Sequence, residues 1–184
     1  MTAGSNETEE TGSPPDTLAG TFTSTAIVHS DSPHKCAPSE EDAKQSLSAH
    51  VADKGAEIFR KYGPSIGWSE LLRLLEDRAC VRYPCRIVFD AAQLEPGEFA
   101  HPVPLGERPE DGFSMHVHPA FETQLEVVPA LVLYQLVVVN YGGFASAEDA
   151  ETFGAAALGM GGSEYYATIC DLADQVRGSG AHVC

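Results

Sequence analysis

Two histidines one residue apart, His116 and His118, with Glu122 four residues further on, are the side chains of this sequence best suited to seize a divalent metal. Imidazole nitrogens with a carboxylate oxygen suit Zn, Fe, Mn or Ni. On an extended strand, residues i and i+2 project to the same side, so both rings would share one face. Phe113, Met115 and Val117 would then face a core, and the bend at Pro119 would return Glu122 toward the pair. His101 is a candidate fourth ligand. Glu98, Glu110 and Asp111 are near enough in sequence to accept the second N–H of a coordinated ring. Three protein ligands and an open position describe a catalytic site, where metal-bound water attacks a carbonyl or phosphoryl centre. With iron, the open positions would instead take oxygen and an organic substrate. Glu122 has two candidate roles, third ligand or catalytic general base. The function expected is therefore a metal-binding protein, extending to a metal-dependent enzyme acting on a small molecule. The alternative is a non-enzymatic interaction or structural module without metal. The two readings differ in whether both imidazoles and Glu122 converge.

Charge narrows the partners. The 184 residues carry 27 acidic and 11 basic side chains, a formal charge of −16. Such a surface repels phosphate backbones and anionic lipid, so neither nucleic acid nor a membrane is an expected partner. No run of about 18 apolar residues is present to span a bilayer. The first residues, MTAGSNETEE, lack the basic and apolar regions of a signal peptide, so a cytoplasmic location is expected. A small-molecule ligand and a homo-oligomer both fit this composition. The cysteines number five, Cys36, Cys80, Cys85, Cys170 and Cys184; an odd count without secretion points to reduced, mostly buried thiols.

The elements that must position the histidines follow from periodicity. Residues 1–38 have the Ser, Thr, Gly, Pro and Glu content of a disordered or weakly packed leader, with Phe22 to Val28 as a minor strand candidate. His29, His34 and Cys36 fall within it. Residues 39–184 read as a single α+β domain, rich in helix, with a small antiparallel sheet. Ser39 caps a helix to Tyr62, ended by Gly63-Pro64. A second helix is expected over 69–80, and a strand over 85–90. Residues 92–112 hold four prolines and three glycines, which read as a loop-rich excursion and a natural roof for a site. Phe113 to His118 is the second strand, paired with 85–90. Residues 130–141 are ambiguous: three consecutive valines favour strand, whereas the length, Pro129 and the following glycine pair favour helix, which we adopt. Helices capped by Ser146 and Ser163 are expected over 146–158 and 163–177, the latter ended by Gly178.

The His-x-His-x3-Glu spacing resembles half of the first cupin motif. The resemblance covers about ten residues. Glu110 stands where that motif has its first glycine, and no second motif follows, so the chain is not assigned to the cupins. Other signatures are absent. Gly154 to Met160 begins like a phosphate loop, but Met160 replaces the essential lysine. Gly159 to Glu164 lacks the last glycine of a dinucleotide fingerprint. Neither HExxH nor GxSxG occurs. A cysteine nucleophile would pair Cys85 with His101 or His116, though a buried thiol is the simpler expectation for Cys85.

Overall fold

The computed structural model describes residues 39–179. The leader expected over residues 1–38, its strand candidate and the His29, His34 and Cys36 group lie outside the described residues. The rest is α+β: five helices and a three-stranded mixed sheet.

Helix α1 (Glu40–Tyr62) starts where the capping signals put it. The Ser39 hydroxyl accepts from the Asp42 amide while the Asp42 carboxylate accepts from the Ser39 backbone N–H, a reciprocal box. Helix α2 (Trp68–Glu76) is shorter than expected, because Asp77 leaves the helical region and its carboxylate accepts from the Ala79 amide in a turn. Helix α3 (Val128–Tyr141) resolves the ambiguous stretch as helix. Ten of its 14 residues are buried, so it is apolar on every side and carries no amphipathic period. Helix α4 (Ala147–Leu158) is capped by Ser146 as anticipated. Helix α5 (Gly162–Ser179) continues through Gly178, the residue expected to end it.

Helices α1 and α4 pack closely. A Cβ on Gly55 would lie 2.6 Å from the Phe153 carbonyl oxygen and 2.7 Å from the Ala156 Cβ, so only glycine permits this approach. The buried Tyr165 of α5 donates its hydroxyl to the Ala130 carbonyl at 2.7 Å, tying α5 to the start of α3.

The sheet consists of β1 (Cys85–Phe89), β2 (Ala100–Pro104) and β3 (Phe113–Val117), in the order β1-β3-β2. The expected pairing of β1 with β3 is present, but it is parallel, and only β2 runs antiparallel to β3. The sheet is therefore mixed where a purely antiparallel one was expected. The difference comes from β2, a strand inside the excursion read as loop. Its return strand, β3, inserts between β2 and β1 and runs in the direction of β1. Pro102 and Pro104 concealed β2 in the sequence, yet they are harmless on an edge. Phe99 and Leu105 both bond backbone groups of the segment carrying β3, so odd-numbered positions face the ladder and the proline nitrogens face the open edge. Gly112 closes the turn at φ 93°, a conformation that favours glycine.

Candidate functional site

Alternation along β3 places Met115 and Val117, both fully buried, on the core face with Phe113, as their spacing required. Trp68 of α2 packs on Phe89 of that face, and Tyr134 of α3 meets Phe99 beside β2. His116 takes the opposite face with Ser114. Despite that position it is only 9% exposed.

The residue across the ladder from His116 is His101. Directly opposed positions of an antiparallel pair share a face, with Cβ atoms about 4.5–5.5 Å apart. The two imidazoles are thus neighbours through the register, not through sequence. A carboxylate stands beside each. Glu98 Oε1 lies 3.0 Å from His101 Nδ1, within hydrogen-bond reach. Asp90, just past β1, has Oδ2 4.0 Å from His116 Nδ1, too far for a hydrogen bond. His116 Nδ1 is enclosed and has no hydrogen-bond partner. Across the sheet the order is Asp90, His116, His101, Glu98: acid, imidazole, imidazole, acid. Asp90 is held in place by its own amide, which donates to the Val117 carbonyl at 3.1 Å.

The other two sequence candidates go elsewhere. His118 ends β3 and caps a single 3₁₀ turn, Pro119–Phe121. Its Nδ1 accepts from the Ala120 amide at 3.2 Å, and its ring meets the fully buried Phe121 edge-on at 6.5 Å. One nitrogen of His118 is therefore engaged locally. Glu122 follows the turn, exposed; its amide donates to the Pro119 carbonyl, and its carboxylate makes no hydrogen bond or ion pair among the described residues. Its return toward the histidines is not realised, because the turn at Pro119 buries Phe121 and leaves Glu122 at the surface. Among the described residues, no group of three or more His, Cys, Asp or Glu side chains comes together in metal-holding geometry. Of the carboxylates expected to accept from a coordinated ring, Glu98 reaches one. Asp111 turns back to the Arg108 amide at 3.1 Å instead.

Sequence reasoning missed Asp90 entirely and gave His101 only a peripheral place. The signal that would have found the pair is the register of β2 against β3, which required recognising a proline-bearing strand.

Cys85 belongs to the core face of the sheet, away from the histidines, and burial pushes its thiol up to about 12. A nucleophilic partnership with His101 or His116 is therefore not built here. Cys80 is raised to about 12 as well, first by burial and then by its hydrogen bond to Asp77.

The chain matches no protein-family model, no curated protein and no solved structure. No helix among the described residues is long and apolar enough to cross a membrane.

Proposed function

We propose that the protein binds a divalent transition metal (Zn, Fe, Mn or Ni) through the cross-strand imidazoles of His101 and His116, with Glu98 and Asp90 behind them. The observation that carries this reading is the paired arrangement of the rings, each with a carboxylate on its Nδ1 side. A coordinating histidine commonly directs its second nitrogen to a carboxylate, which fixes the ring and strengthens it as a ligand. The Nε2 atoms are left for the ion. Two protein ligands leave most coordination positions to water or to a small molecule, which is what a metal-dependent reaction on such a molecule requires. In this reading His118 and Glu122 are bystanders to first order. The reading includes a cytoplasmic setting, consistent with free thiols at Cys80, Cys85 and Cys170.

Calorimetric titration of metal-free protein with Zn, Mn, Ni and Fe(II) tests it. Saturable binding is expected. His101→Ala or His116→Ala should weaken it severely, and Glu98→Gln by about tenfold. His118→Ala and Glu122→Gln should leave it nearly unchanged. If no metal binds the wild type, the reading fails.

A second reading, a non-enzymatic interaction module, is favoured by Phe144, which is 89% exposed in the turn after α3. Phe144 is the side chain that such a module would offer to a second copy. Sedimentation of the wild type beside Phe144→Ser tests it: loss of a self-associated species in the variant supports the module, and a monomer in both removes self-association.

A further inference from the structure

We infer that a second site, sharing no residue with the histidine row, binds a small molecule through a doubly charged oxyanion such as a phosphate group. It is a cleft of about 240 Å³ between α1, the end of α3 and the turn at 78–82. Lys54, Arg78 and Arg82 line it, with His50, Tyr141 and Asn140. Three of the eleven basic residues of a chain with charge −16 are thus gathered around one cavity. On so acidic a molecule, a concave cationic patch is where the local field turns attractive for anions.

The two arginines lack acidic partners. Arg78 donates one Nη to the Val81 carbonyl at 3.3 Å, and the Arg82 guanidinium lies 5.3 Å from the centre of the Tyr83 ring. Neither makes an ion pair with a carboxylate among the described residues, so each keeps donors for an incoming oxyanion. Lys54 is paired with Glu57 at 2.7 Å and contributes a more screened charge.

The cleft is also rigidly framed. The turn bearing both arginines is fixed from both sides by polar side chains. Asp77 accepts from the Ala79 amide and from the Cys80 thiol. Asn140, buried in α3, accepts from the Arg82 amide at 2.8 Å and donates to the Cys80 carbonyl at 3.1 Å. On α1, His50 and Lys54 are four residues apart and so share a face. The His50 ring meets Tyr141 edge-on at 5.6 Å. Hydrogen-bond donors are therefore presented on three elements around a space suited to a small anionic group, at little cost in ordering.

The test is titration with inorganic phosphate at low ionic strength, followed by calorimetry on the full chain. The wild type should bind one equivalent saturably. Arg78→Gln and Arg82→Gln should each weaken binding by about tenfold or more. Arg60→Gln, which removes the same charge from the exposed face of α1, should change it by less than about twofold. Circular dichroism confirms that each variant is folded. Absence of saturable binding up to about 10 mM phosphate overturns the inference. Equal weakening in Arg60→Gln also overturns it, because the effect would then be one of net charge alone.

Discussion

Asn140 and His116 are buried to similar degrees, 5% and 9% exposed, yet the fold treats them in opposite ways. Both functional ends of the Asn140 amide are satisfied by the backbone at Arg82 and Cys80, and the residue joins α3 to the turn below β1. His116 sits on the central strand with Nδ1 enclosed and unpartnered, and the nearest carboxylate a full 4.0 Å away. A buried polar group with every bond made is part of the scaffold. A buried polar group left wanting costs stability and calls for another explanation. Among the described residues the helices are of the first kind. Asp149, similarly buried, receives the Ser48 hydroxyl at 2.6 Å and the Ser146 hydroxyl at 2.8 Å. The outer sheet face is of the second kind, and it is there that His101 and His116 stand opposite each other across the ladder.

The largest expected effect breaks the scaffold side of this contrast. Asn140→Ala strands the Arg82 N–H and the Cys80 carbonyl, each at a cost of about 1–3 kcal/mol. Chemical denaturation should read a loss in that range or up to twice it. A change under about 0.5 kcal/mol would mean that Asn140 is no structural amide. Gly55→Ala should come next, at about 1–3 kcal/mol, because its methyl would collide with Phe153 and Ala156 where α1 meets α4.

His116→Phe sharpens the other side. Replacing an unsatisfied polar ring by an apolar one of similar shape is close to neutral or stabilising. The melting temperature should hold or rise while metal binding is lost. A large drop in stability would make His116 a scaffold residue like Asn140.

The smallest effect concerns acid. Asp77 accepts from Lys61, Cys80 and Tyr62 as well as from Ala79, and the Lys61 ammonium first of all holds its carboxyl well below the usual carboxylate range. A depressed folded-state value means that its stabilisation is present above the ordinary value near 3.8 and is lost as pH falls toward the folded one. Stability should fall less steeply in Asp77→Asn than in the wild type between about pH 4 and pH 2. Identical slopes would show that the Asp77 cluster does not couple to folding.

Which parts were legible in the sequence follows the same division. Ser39 and Ser146 announce their helices because capping is local chemistry, written within four residues. The core-facing set on β3 was legible because strand period is local too. The length of α3 and its flanking Pro129 and glycines identified it, although burial on all sides had erased its period. What was not legible was non-local. Proline-bearing β2 reads as loop until the open edge that tolerates it is known. The partnership of His101 with His116 exists only through the β2–β3 register. The apparent trio of His116, His118 and Glu122 was local in sequence, but the turn at Pro119 gives the His118 ring to a backbone amide and leaves Glu122 at the surface.

In the proposed reading, the imidazoles that take the metal are the cross-strand pair and not the sequence neighbours. The most direct measurement is the long-range ¹H–¹⁵N spectrum of the histidine side chains, recorded as Zn is added to metal-free protein. The Nε2 resonances of His101 and His116 should shift together with the same saturation while those of His118 stay in place. Shifts at His116 and His118 with His101 unmoved, or no shift at any of the three, would contradict it.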